Sequence, residues 1–354
     1  MPYSDRLEAS TLNAQLEVEV ESVYQKSVIM AGLMQNKRIT FNHGGKKTEW
    51  DPIVRRKRPK TATLYAPNIQ FDPLPREIHV ELPWRTLNLG DKISKFDRLA
   101  NKNVSKDRRR FDLVERVTKR LASDFTEDMP ERLYDDGTSN TIHGFQTFDN
   151  NGGLISGSFV GSATGSYAGY SMVPGAIGGS WSTGTFPNGQ GDPEYHAWMP
   201  RQIDINYSGW GGSWSDGWQQ ALNRGRAYMG RLNRATPQLA VINTEMLLEA
   251  EDSLADNERF IMEPNNKLTE LGHRVLRYKD IEIADEYACP EDFGVLLSWD
   301  MLELRSMQAT LVGYEEDVIL ENSESLYAAD FYGNLICYTP AKVGLLIAIS
   351  EEGT

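Results

Sequence analysis

Cysteine is nearly absent. Only Cys289 and Cys337 occur among 354 residues, each in an apolar stretch without a second cysteine or a histidine at ligand spacing. That excludes a disulfide-stapled framework and leaves two buried free thiols in a reducing compartment as the expectation. Long apolar runs are missing too. The longest, residues 344–349, falls far short of the roughly 20 residues a membrane span needs. Residues 1–15 are polar and mixed in charge, which does not suit a secretory signal, so a soluble cytosolic product with no membrane partner is expected. The chain also lacks GxGxxG, a phosphate-cradling GxxxxGK before Ser or Thr, GxSxG and HExxH. Asp192, Glu194 and His196 stand at two-residue spacing, which a strand would align for a divalent metal. In their Gly/Pro setting they read as solvated polar residues. No catalytic residue, cofactor or metal is therefore expected.

What is present suffices for a large core. Apolar residues make up 40% and charged residues 25%, ordinary for a globular protein, and the length implies two or more lobes. Charge is divided unevenly. Residues 241–354 hold 24 of the 50 acids and 7 of the 37 bases, while residues 37–60 carry nine bases against two acids. Oppositely charged regions let copies of one chain attract each other.

Residues 1–36 read as an arm with a modest helical pattern at Leu16, Val20, Val23, Tyr24, Val28 and Met34, without strong caps. Gly44-Gly45 then opens a segment containing Arg55, Arg56, Lys57, Arg58 and Lys60. Beyond Pro73 and Pro75, Ile78, Val80 and Leu82 alternate with His79 and Glu81, the period of a half-buried strand. Two extended pieces around a basic, proline-containing tip predict a long projecting hairpin. From Ser105 the period changes to that of a helix: Phe111, Val114, Val117, Leu121 and Phe125 form its apolar stripe, and Pro130 is expected to end it. Such a helix of about 25 residues is roughly 37 Å long, enough for the spine of a lobe. Residues 144–217 hold 17 of the 30 glycines together with Trp181, Trp198, Trp210 and Trp214, and predict long loops with short strands. A second helix follows, capped near Ser213 or Ser215, with Trp218, Leu222, Gly225, Tyr228, Met229 and Leu232 on its apolar face. A strand at 238–242, a helix opened by Thr244, and strands near 280–284, 295–299, 326–338 and 342–349 complete an α+β pattern.

The ordered series resembles the major capsid proteins of tailed bacteriophages. It comprises Gly44-Gly45, Trp84 closing the hairpin, the basic helix, residues 133–138 (LYDDGT), residues 142–145 (IHGF) and residues 167–170 (YAGY). Residues 237–244, 278–283, Cys289-Pro290 and 331–335 (FYGNL) continue it. The resemblance implies the Hong Kong 97-type fold. It divides the chain into an N-arm (1–43), an extended E-loop (44–86), a peripheral domain with the spine helix and a Gly-rich insertion near 151–193 (87–240), an axial domain (241–325), and C-terminal strands returning to the peripheral domain (326–354). It further implies self-assembly as hexamers and pentamers into an icosahedral virion shell around double-stranded DNA, built in the host cytoplasm without sequence-specific DNA binding. A separate scaffolding protein, a portal and a decoration protein are the implied partners. Arg55, Arg56, Lys57, Arg58 and Lys60 would then touch a neighbouring subunit's acidic surface.

Two other readings use the same residues. An encapsulin-like nanocompartment would enclose enzymes in place of a genome. A carbohydrate-binding or carbohydrate-active protein would use Trp198, Trp210, Trp214, Trp218 and Tyr207 as sugar platforms, with Asp204 and Glu194 as a carboxylate pair.

Overall fold

The computed structural model describes residues 27–52, 77–97, 108–138, 140–149, 166–172, 198, 200–233, 236–255, 275–319 and 324–348. In chain order these form α1 (Val28–Gln35), β1 (Ile39–Thr40), β2 (Lys47–Trp50), β3 (Val80–Pro83), β4 (Arg85–Ser94), α2 (Arg108–Arg132), β5 (Ser166–Tyr167), β6 (Tyr170–Ser171) and β7 (Arg201–Asp204). There follow α3 (Trp214–Asn233), β8 (Leu239–Ile242), α4 (Thr244–Ala255), β9 (Val275–Tyr278), β10 (Ile281–Asp285), β11 (Phe293–Leu297), β12 (Leu302–Ser306), β13 (Gly313–Ile319), β14 (Glu324–Cys337) and β15 (Gly344–Ile347).

Two sheets organise the chain. In the five-stranded sheet, β14 is the common partner: β4 and β13 run antiparallel to its first part and β12 to its last five residues, and β1 adds in parallel to β12. The six-stranded sheet has the order β7-β15-β11-β8-β10-β9 and mixes parallel with antiparallel pairs. Both sheets draw strands from distant parts of the chain. β7 and β15 join strands from 239–297, while β12 and β13 join β4, so sheet membership crosses the sequence boundaries expected at 240 and 325. Strand pairing is decided by contacts between remote segments, which no local pattern records.

Four adjacent strands of the six-stranded sheet, β7, β15, β11 and β8, are buried on both faces. Leu239, Val241, Val295, Leu297 and Leu345 point into one core, and the alternating Ala240, Ile242, Leu296 and Leu346 point into the other. Period-two side-chain direction makes each apolar strand serve both layers. The second core is closed by α3 and α4 through Trp214, Trp218, Leu222, Met229, Met246 and Leu247. Tyr228 and Leu232 belong to α3, but their side chains lie outside the described set. Ser213 lies just before α3, its carbonyl accepting the Gly217 amide at 3.1 Å. α4 is capped by Asn243, whose Oδ1 accepts the Glu245 amide at 2.9 Å.

α2 lies against β4 and β14. Val117, Leu121, Phe125 and Met129 recur every four residues on its buried side. Phe111 and Val114 lie in its first turns, with side chains outside the described set. The expected stop at Pro130 is two residues early: Pro130 lies inside the helix, which runs to Arg132. Its last turn tightens, the amides of Leu133, Tyr134 and Asp135 bonding to carbonyls three residues back. Pro130 cannot donate to the Thr126 carbonyl and its ring crowds it, a cost confined here to the last turn. The arm is likewise better capped than its sequence suggested. Ser27 Oγ accepts the Met30 amide at 3.2 Å, and residues 28–33 are buried, leaving Met34 half exposed. Residues 1–26, including Leu16, Val20, Val23 and Tyr24, lie outside the described set.

Leu121 is 2% exposed in the first core. Replacing it with Asp puts an unpaired carboxylate there, at an expected cost of several kcal/mol. Thermal melting and soluble yield should both fall sharply for Leu121→Asp, and unchanged melting would refute this burial.

Candidate functional site

Some of the residues that carried the resemblance, namely Gly45, Trp84, Gly137, His143 and Asn334, meet at the root of the hairpin. β2 and β3 pair antiparallel, Lys47 opposite Pro83 and Trp50 opposite Val80. Thr48, Trp50, Val80 and Leu82 turn inward, as their alternation requires. Trp84 donates its Nε1–H to the Gly45 carbonyl at 3.1 Å, fastening the two ends of the hairpin. Arg55, Arg56, Lys57, Arg58 and Lys60 all lie outside the described residues, as does the expected strand at 61–65.

Behind the hairpin stands the junction after α2. The loop from Leu133 to Phe145 is drawn shut by backbone bonds, Gly144 to the Asp135 carbonyl at 3.0 Å and Phe145 to that of Leu133 at 2.8 Å. A Cβ on Gly144 would sit 2.2 Å from the Leu133 oxygen, so no other residue fits without moving backbone. Asp136 accepts bonds from Thr138 and Thr141, and these hold its carboxyl below the usual range. His143 is pushed down to about 4 by burial and by the nearby Arg85 charge, so it stays neutral at ordinary pH.

Asn334 of β14 joins hairpin to junction. It is fully buried, its Oδ1 accepting the His143 amide and its Nδ2 donating to the Pro83 carbonyl, each at 3.0 Å. Arg85 adds bonds to the Gly137 carbonyl at 3.3 Å and to Asn140 Oδ1 at 3.2 Å. On the other side, Arg305 donates to Thr48 Oγ1 at 2.7 Å and to the Tyr338 hydroxyl at 2.8 Å, and pairs with Glu303 at 3.3 Å. Burial opposes ionisation of Glu303, yet bonds from Thr40 and Tyr338 and the Arg305 charge keep its carboxyl below the usual range. Single-residue patterns gave no notice of Arg305. Asn334 was legible only as one residue of the 331–335 motif, with nothing to mark its bridging role.

The arm is anchored by a buried carboxylate. Glu286 accepts hydrogen bonds from the Ser27 hydroxyl and Ile29 amide of α1 and, at 3.1 Å, from the Tyr134 hydroxyl. Burial raises its pKa to about 7 despite these donors, and Asp285 adds to the rise.

The aromatic residues do not form sugar platforms. Trp198, Trp210, Trp214 and Trp218 are all buried, and Trp198, Trp214 and Trp218 donate their indole N–H groups internally to the Tyr167 carbonyl, the Met246 carbonyl and Ser253 Oγ. Asp204 is buried as well, whereas Glu194, Asp192, His196 and Trp181 lie outside the described set. The carbohydrate reading is not favoured, because these large rings, on α3 as well as in the loops, are part of the core. The residues 167–170 form a two-residue hairpin, with Ala168 and Gly169 at φ of 50° and 82°. Both cysteines are buried free thiols, and burial pushes the Cys337 thiol up to about 12. Among the described residues, no helix is long and apolar enough to cross a membrane.

No protein-family model matches the chain, and neither does any curated protein sequence. Solved structures do. A subunit in the cyanophage A-1(L) capsid asymmetric unit is similar over 90% of this chain and 93% of its own, with a TM-score of 0.60 at 13% identity. A chain from the capsid of the native GTA particle covers 90% of each, with a TM-score of 0.55 at 12% identity. The chain therefore has the α+β capsid fold, the Hong Kong 97 type.

Two consequences are measurable. Asn334→Ala leaves the His143 amide and the Pro83 carbonyl without their partner, and an unmet buried group costs about 1–3 kcal/mol. A clear drop in melting temperature is expected, with secondary structure retained by circular dichroism. For Glu286 the folded pKa lies above the unfolded one. The stability it contributes is thus full below about pH 4.5, falls as pH rises, and is gone above about pH 7. The whole swing is on the order of 3 kcal/mol. Glu286→Gln should flatten the fall in melting temperature between pH 5 and 8; curves that stay parallel would remove Glu286 as its source.

Proposed function

We propose that this chain is the major capsid protein of a tailed bacteriophage, a structural subunit and not an enzyme, that assembles with copies of itself into the virion shell. The observation that carries the reading is the likeness to capsid subunits across nine tenths of both chains. The self-contained hairpin base and the split of charge between the two parts of the sequence support it.

In this reading the E-loop (44–86) reaches outward, while α1 and β1 fasten the N-arm (1–43) to the body. The lobe of α2 and the five-stranded sheet is the peripheral body, and the lobe of α3, α4 and the six-stranded sheet is the axial one. Hexamers and pentamers of one chain close the shell, since closed symmetry repeats each weak contact around every axis. A scaffolding protein, a portal and a decoration protein are the proposed partners, assembly takes place in the host cytoplasm, and the enclosed double-stranded DNA is confined without sequence-specific contacts. An overall charge of −13 suits a weakly repulsive container better than a DNA-binding surface.

Electron microscopy and light scattering of the full chain, alone and with products of neighbouring genes, test the reading. Hollow particles are expected, and compact monomers under every condition would overturn it. Native particles holding a cargo enzyme in place of DNA would overturn the genome-container role.

The basic tip is proposed as a contact between subunits. Changing Arg55, Arg56 and Arg58 together to Glu should leave circular dichroism unchanged and abolish particles, because like charges at an interface cost on the order of several kcal/mol. Added salt should weaken wild-type assembly through screening over about 8 to 10 Å. Normal particles from the triple variant would sink this contact.

A further inference from the structure

The outer face of the hairpin base carries side chains that the shell reading does not use. The register places Glu49 directly opposite Glu81. His79 and Asp51 stand two residues from them along the two chains, on the same side of the ladder. Like charges facing each other across a strand pair repel, so this pair calls for a cation. Lys47 supplies one, but it bonds Glu81 through Oε2. Glu81 Oε1 and Glu49 Oε2 face His79 Nε2 instead, at 3.6 and 3.7 Å.

Those separations are too long for hydrogen bonds, which end near 3.2 Å. They are close to what a shared ion requires: two ligand atoms, each about 2.1 Å from a tetrahedral ion, lie about 3.4 Å apart. The three ligand atoms all fall within 4.8 Å of one another. His79 is also set for ligation. Its Nδ1 lies 2.8 Å from Asp51 Oδ1, so with the Nδ1 proton held there, an ion that displaces the Nε2 proton meets a lone pair turned toward both glutamates.

We propose that Glu49, His79 and Glu81 bind a divalent transition ion of the zinc type, with Asp51 as the positioning residue for the imidazole. An imidazole with two carboxylates suits zinc, cobalt or manganese better than magnesium or calcium, which take oxygen ligands alone. The side chains reach solvent, so the ion has free access and water completes its shell. The bound ion ties β2 to β3 at the root of the hairpin and so stiffens the direction in which the hairpin leaves the body. The site stands independently of the shell reading.

The test is titration of the full-length protein with Co²⁺, followed by its visible ligand-field absorption, and with Zn²⁺ by calorimetry. One saturating ion per chain is expected. His79→Ala should abolish the cobalt spectrum, and so should the double change Glu49→Gln with Glu81→Gln, which removes the charge repulsion and so keeps the strand pair. Asp51→Asn should weaken binding about 10- to 100-fold. Excess Mg²⁺ should not compete. Absence of saturable binding, or a spectrum unaltered in either the His79 or the double variant, would overturn the site. Unaltered affinity in Asp51→Asn would remove its positioning role.

Discussion

The rest of the structure depends on four adjacent strands that have no solvent face. The six-stranded sheet presents alternate side chains to two different cores, so every residue of β8, from Leu239 to Ile242, is buried. A strand of that kind tolerates neither a polar substitution nor a slip in register, because a one-residue slip exchanges the two cores wholesale. The same sheet couples the two lobes mechanically. α3 and α4 press on one face, while α2, β14 and α1 contribute to the core on the other.

The root of the hairpin is held by directional ties, and these are polar. Asn334, Arg85 and Arg305 reach from the body to backbone and hydroxyl groups of the hairpin and the junction loop. Apolar packing alone would permit small rotations between these parts. Hydrogen bonds with fixed partners do not, and a buried network is worthwhile only when its members are paired. Gly144 contributes by absence, since a side chain there would strike the Leu133 carbonyl.

Glu286 is a different kind of tie. It sits at the start of α1, where unpaired amides and the helix dipole favour a negative group, and it accepts from Ser27 and Ile29 of the arm as well as from Tyr134 of the body. The hold on the arm thus combines apolar burial of residues 28–33 with one ionisable group whose protonation changes near neutral pH. His143, pushed down to about 4, is neutral throughout that range and adds no competing change.

Periodicity in the sequence determined the local elements. The four-residue recurrence of Val117, Leu121 and Phe125 set the buried side of the spine helix, the alternation of Val80 and Leu82 set the inner face of the hairpin, and the order of short motifs sufficed to recognise the capsid fold. These features survive in one dimension because helix and strand periods are properties of neighbouring residues. Tertiary structure decided the remainder. It paired Arg201–Asp204 with Gly344–Ile347, put Asn334 between the His143 amide and the Pro83 carbonyl, sent Trp198, Trp210, Trp214 and Trp218 inward, and gathered Glu49, His79 and Glu81 onto one face. Each joins residues about thirty to more than two hundred positions apart or depends on which side of a loop faces the core. Such relations follow from the whole chain minimising exposed apolar surface and unpaired polar groups at once, and no short window of sequence contains them.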